Sequence, residues 1–156
     1  MLWSYTVRQF IKWWLPVVVW MGLIFTGSSV GNIPRVGGPT LDGLAHRLAH
    51  LVEFAILGGL VLRAASKGKP VTKREIIITL VTVAVYGASD EFHQRYTPGR
   101  SSEGLSVLFD VAGGMIGAWV YRQWQVRRRV TQQLKNVAAG SAESVSDASA
   151  HHRFDH

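Results

Sequence analysis

The sequence predicts an all-α integral membrane protein: a four-helix bundle of spanning segments, both termini cytoplasmic, with a disordered C-terminal tail. Three observations predict it. Four apolar segments near spanning length follow one another, at about 13–29, 43–62, 76–92 and 105–121. The connections between them alternate in Lys and Arg content. Beyond Arg122 the apolar pattern stops.

Composition narrows the choices. With 156 residues, 47% hydrophobic and 17% charged, the chain has one domain's worth of packing material, which excludes a disordered or collagen-like polymer. It contains no cysteine, so disulfides, thiolate metal sites and cysteine nucleophiles are excluded. The mean hydropathy of +0.13 is low for a membrane protein only because the last 35 residues are polar. A net charge of +7 suits either nucleic acid or an anionic membrane surface, and the placement of the charge decides between them.

The first segment, with Pro16 near its start where a missing N–H is tolerated, reads as a retained span rather than a cleaved signal peptide, because further spans follow it. The second carries its longest uncharged run only at Phe54 to Leu62. The third has 14 uncharged residues, Ile76 to Ser89, and is rich in β-branched side chains. A strand is excluded there because an isolated strand cannot satisfy its backbone in lipid, and the chain lacks segments to close a barrel. The fourth ends at Tyr121. A soluble core is disfavoured because four such helices on short loops leave almost no polar face for water.

Orientation follows from the basic residues. Twelve lie in the N-terminus, the second loop and the start of the tail, against three, Arg35, Arg95 and Arg100, in the first and third loops. The positive-inside rule therefore places both termini in the cytoplasm. Residues 1–125 form the membrane domain, and 126–156 a basic, then Ala- and Ser-rich cytoplasmic tail. The cluster after Tyr121 anchors the last span at anionic headgroups. Nucleic acid is not expected as a partner, because no aromatic residues interleave with the basic ones.

Charges inside lipid are costly, so the polar residues of the spans are candidates for function. On the second helix Asp42, His46, His50 and Glu53 recur at spacings that stack them on one face, with Arg47 beside them. The third helix ends in Asp90, Glu91, His93 and Gln94, Arg100 follows in the loop, and Asp110 lies inside the start of the fourth. Ser28 and Ser29 close the first helix at the same level. All converge on the outer leaflet, and Asp110, the deepest, requires a partner such as Arg100 or Arg47.

These residues support several readings. His46, Arg47, His50 and Glu53 form either a site or a structural polar zipper. His50 with Glu53, or His93 with Asp90, could carry acid–base chemistry. Arg47, Glu91, Gln94, Arg100 and Asp110 form the substrate-binding set. A metal site built on His46, His50 and Glu53 is disfavoured by the missing HExxH pattern and the adjacent guanidinium, and no cofactor is called for. Gly113 and Gly117, in GxxxG spacing, read first as close helix packing, with a homo-oligomer as the alternative.

Taken together, the residues resemble the VanZ-like family of small multi-span bacterial membrane proteins. Asp90-Glu91-Phe92-His93-Gln94, followed by Pro98-Gly99-Arg100, is similar to the family's D-E-x-x-Q segment and its P-G-R. Arg47-x-x-His50-x-x-Glu53, with Leu57-Gly58 beyond, resembles its basic-x-x-His stretch. Asp110 with Gly113, Gly114 and Gly117 resembles its D-x-x-G pattern, and Ser28-Ser29 its serine pair. The resemblance covers about Phe25 to Tyr121. The sequence departs from the pattern at His46, where an acidic residue is common, at Phe54, where tyrosine is, and at Ser106, where aspartate is.

The resemblance implies a cell-envelope role in the bacterial cytoplasmic membrane, linked to glycopeptide resistance, chiefly to teicoplanin. The site is expected to bind an anionic envelope lipid, a lipid-linked precursor or an antibiotic, with Arg47 and Arg100 as the clamp. The alternative is an intramembrane acid/base hydrolase or transferase acting on a lipid-linked substrate. The residues leave that choice open.

Overall fold

A computed structural model describes the backbone over residues 2–29, 39–96 and 106–151, and the side chains over 7–29, 43–45, 47–96 and 106–141. Four helices follow in order: α1 (Leu2–Ser29), α2 (Pro39–Ser66), α3 (Lys73–Gln94) and α4 (Ser106–His151). No strand occurs among the described residues. The chain divides into two compact units, 1–122 and 123–156.

Two expectations are corrected here. Pro16 lies inside α1, not at its start, because the helix already begins at Leu2. Its ring removes one N–H from the helical ladder, which transmembrane helices tolerate where neighbours and local adjustments satisfy the freed carbonyl. The tail, expected to be disordered, continues α4 as helix to His151. Residues 123–139 contain neither Pro nor Gly and are rich in Arg, Gln, Ala and Val, so local propensity supports the helix where composition alone pointed to disorder.

Within the first unit α2 packs on α1 and α3, and α1 also touches α3. The contacts give the directions. Trp20 Nε1 donates to the Glu53 carbonyl (2.9 Å) while Arg63 lies over the Trp13 ring, so α1 and α2 are antiparallel. The turn between α2 and α3 is short. Lys67 and Gly68 take positive φ (48° and 73°), and a β-carbon on Gly68 would stand 3.3 Å from the Trp13 ring. Thr72 and Glu75 then form a capping box that starts α3.

Glycines bring α2 and α4 together. A β-carbon on Gly113 would collide with the Leu51 carbonyl, one on Gly117 with the Ala55 carbonyl, and one on Gly58 with the backbone of Gly114. The two helices run parallel through this seam, and the GxxxG glycines serve packing within the chain. Val83 of α3 closes on Gly114.

Side-chain placement inverts that of a water-soluble protein. Phe10, Val19, Leu48, Val85, Met115 and Trp119 are exposed, whereas Asp90, Glu91 and Asp110 are buried with Phe54, Leu57 and Val83. Three helices, over Val7–Ser29, Gly43–Ser66 and Lys73–Gln94, are long and apolar enough to cross a membrane. The apolar part of α4 is interrupted early by Asp110 and ends at Arg122.

Candidate functional site

One end of the first unit gathers the end of α1, the first half of α2, the end of α3 and the start of α4. Six polar side chains meet there, Ser28, His50, Asp90, Glu91, Gln94 and Asp110, each between 2 and 6% exposed. Burial this deep is sustainable only where each group finds partners in the protein.

The partners link every helix. Ser28 of α1 donates to Asp90 Oδ2 of α3 (2.9 Å), and Gln94 Nε2, one turn further along α3, reaches the same oxygen (2.8 Å). Gln94 Nε2 also lies 3.5 Å from His50 Nε2 of α2. His50 Nδ1 in turn faces Asp110 Oδ1 of α4 at 3.3 Å. Ser106, at the start of α4, donates to Glu91 of α3. Two acids of α3 and one of α4 thus each meet a neighbouring helix, and Gly87 makes room for Asp110, since a β-carbon there would lie 3.1 Å from its Oδ2.

The pairing differs from what residue spacing predicted. His50 meets Asp110, where Glu53 had been expected as its acid, because positions three apart on one helix lie side by side while position 110 is brought across by the glycine seam. Asp110 therefore has an imidazole beside it; of the arginines expected as its partner, Arg100 lies outside the described residues. His93 stands apart from the Asp90 cluster: its Nε2 lies 3.0 Å from Ser29 Oγ, and its ring stacks on Phe25 with centroids 4.3 Å apart. The guanidinium of Arg47, one turn from His50, lies 5.8 Å from the Phe109 ring centroid. The carbonyl of Glu53 receives Trp20, and its side chain is half-buried. Arg100 and the side chains of Asp42 and His46 lie outside the described residues.

Three carboxylate oxygens, Asp90 Oδ1, Glu91 Oε1 and Asp110 Oδ1, are buried without a hydrogen bond among the described residues. No group of three His, Asp or Glu among those residues has metal-holding geometry. Gln94 and His50 join Asp90 to Asp110, and Ser29, Arg47 and His93 are less buried than these.

Sequence reasoning missed three participants. Ser106 appeared only as a departure from a family pattern, yet its hydroxyl donates to Glu91 Oε2. Gly87 is legible only once its neighbour across the interface is known. Ser28, read as a helix end, is an interior hydrogen-bond donor.

Apolar side chains facing outward on helices long enough to span, with acids and an imidazole buried at one end, mark a helical membrane protein with a buried polar cluster. A family model described as VanZ/LLP1 matches residues 13–126, which include every candidate site residue. The chain belongs to the VanZ/LLP1 family and is a VanZ-like protein of the cell envelope. It matches no curated protein and no solved structure.

Proposed function

We propose that this VanZ-like protein crosses the bacterial cytoplasmic membrane four times with both termini in the cytoplasm. Its polar end, in the outer leaflet, binds the anionic head of an envelope lipid, lipid-linked precursor or antibiotic, and so contributes to glycopeptide resistance, chiefly to teicoplanin. The observation that supports this reading is the buried network joining all four helices, with Arg47 one turn from His50 on α2 and His93 next to Gln94 on α3. The acids fix the helix ends, while Arg47, with Arg100 following α3 in sequence, supplies positive charge to an anion.

The topology is tested by accessibility labels. Labels placed within 68–70 and after position 137 should report the cytoplasm, and one near position 97 the outside; labelling of all three from one side overturns the four-span arrangement. Binding is tested on purified protein by mass spectrometry of the lipids it retains. Arg47→Ala and Arg100→Lys should each reduce retained anionic lipid by about tenfold, the scale of one charge-assisted hydrogen bond. Unchanged retention in both removes the clamp.

One observation favours acid–base chemistry as a second reading: a carboxylate backs one nitrogen of His50 while the other faces Gln94. Under it, His50→Ala abolishes the resistance phenotype even in the fraction of protein that stays folded and retains lipid. A pure binding protein keeps most of its phenotype in that variant.

A further inference from the structure

About 22 Å of helix separates Ser28, in the buried network, from Trp13 nearer the start of α1. Around Trp13 the molecule is basic. The ring is oriented by its Nε1, which donates to Gln9 Oε1 (3.0 Å). Lys12 Nζ lies 5.0 Å from the ring centroid, and the guanidinium carbon of Arg63, in the last turn of α2, lies 5.0 Å from it as well. Cations of two different helices are thus held to one indole, each within cation–π range.

The turn after α2 adds a third. The Lys67 N–H donates to Arg63 O (3.1 Å) and the Lys69 N–H to Ser66 O (2.9 Å), so the chain folds back over the indole, which a β-carbon on Gly68 would approach to 3.3 Å. Lys67 is the one non-glycine residue with positive φ (48°) among the described residues. Lysine there carries a backbone cost that glycine lacks, and it places a charge beside the residue whose backbone meets the ring. No carboxylate pairs with Lys12, Arg63 or Lys67 among the described residues. Glu75, the acid that opens α3, is held by Thr72 in its capping box.

Like charges gathered on one ring without an acid favour an anion between them. The surface beside them narrows its chemistry. Residues 8, 12, 15 and 19 share one face of α1. That face begins with Arg8 and Lys12, both exposed, and continues with Leu15 and Val19, 48 and 53% exposed, into a helix apolar enough to cross a membrane. Arg63 likewise stands one turn inside the end of the apolar stretch Gly43–Ser66. A free anion gains nothing from the apolar half of this face, whereas a phospholipid joins a charged head to hydrocarbon. Indole rings and long basic side chains at span ends sit at headgroup depth.

We propose that Lys12, Trp13, Arg63 and Lys67 form a headgroup site for an anionic phospholipid, whose phosphate lies between the basic side chains and whose acyl chains run along Leu15 and Val19. The phosphate offsets the repulsion between Lys12 and Arg63 and ties α1 to the turn after α2. This site lies at the opposite end of α1 and α2 from the one proposed at Arg47, and neither requires the other.

The test uses the full chain in phosphatidylcholine vesicles containing a small share of either phosphatidylglycerol or phosphatidylcholine with a photoactivatable diazirine on an acyl carbon near the glycerol, followed by mapping of the labelled residues. Labelling of Leu15 and Val19 by phosphatidylglycerol should exceed that by phosphatidylcholine about fivefold, the scale of one basic side chain acting on an anionic lipid. At Val85 and Met115, exposed apolar positions on other helices, the two lipids should label equally. Lys12→Gln combined with Arg63→Gln should bring Leu15 and Val19 to the same equality. Lys67→Gly removes a cation and gives the positive φ to a residue that adopts it freely, so it should about halve the preference while helical circular dichroism and thermal unfolding stay at or above the parent. That variant decides the matter where the double variant does not fold. Equal labelling of Leu15 and Val19 by the two lipids, or a preference insensitive to these variants in folded protein, overturns the site. Loss of the preference on adding inorganic phosphate, but not chloride of equal ionic strength, overturns the phospholipid as its occupant.

Discussion

Gly117→Leu is expected to leave almost no folded protein, and Gly117→Ala to destabilise it by at least about 1–3 kcal/mol, the range for an overpacked interior. A β-carbon at this position would fall on the Ala55 carbonyl, and neither partner is the end of a flexible side chain that could swing away. Relief requires separating two helices that also carry His50 and Asp110, so lipid retention should fall with stability. Gly22→Ala is the matched control: a β-carbon there meets nothing within 4 Å, and the helix gains up to about 1 kcal/mol in propensity. Unfolding in detergent micelles, followed by circular dichroism, separates the two. Equal tolerance of both alanines would show that the α2–α4 seam is not closed as described.

Asp110→Asn should cost about 3–5 kcal/mol, as expected when one partner of a buried pair is removed from its ionisable neighbour. Asparagine keeps the shape and removes the charge facing His50. Glu75→Gln is the comparison, because glutamine also serves a capping box, and it should stay within about 0.5 kcal/mol of the parent. The paired change His50→Leu with Asp110→Leu sharpens the result. If the pair only holds helices together, the double variant recovers much of the stability lost in either single variant. If it also serves the site, stability returns and lipid retention does not. Full tolerance of Asp110→Asn would remove this residue from the network.

How much of this was legible in the sequence differs by kind of feature. Three of the four expected spans could be read because lipid demands long apolar runs, and the meeting of Ser28, His50, Asp90, Gln94 and Asp110 at one end follows from their positions near segment boundaries. Which side chain meets which could not be read. Spacing along a helix fixes its faces but not its rotation against another helix, and here the rotation is set by glycines whose role shows only against Leu51, Ala55 and Val83. For the same reason His93 separates from Asp90: positions three apart on α3 diverge enough for one to enter the network and the other to meet Ser29 and Phe25. The helical tail was hidden because a low-hydropathy, Ala- and Ser-rich composition describes solvated helices and disordered chains alike.

Interfaces made of side chains yield in small steps, since rotamers exchange one at a time. At the α2–α4 seam the carbonyls of Leu51 and Ala55 stand where β-carbons would be, so there is no rotamer to exchange. The two helices move together or separate entirely. The contacts of α1 are of another kind: Val17 and Ile24 are buried side chains, and Tyr86 to Met21 and Ser28 to Asp90 are side-chain hydrogen bonds, all of which have rotamers to exchange. In mechanical terms α2 and α4 make a stiff axle, and α1 is seated on it by side chains that can adjust one at a time.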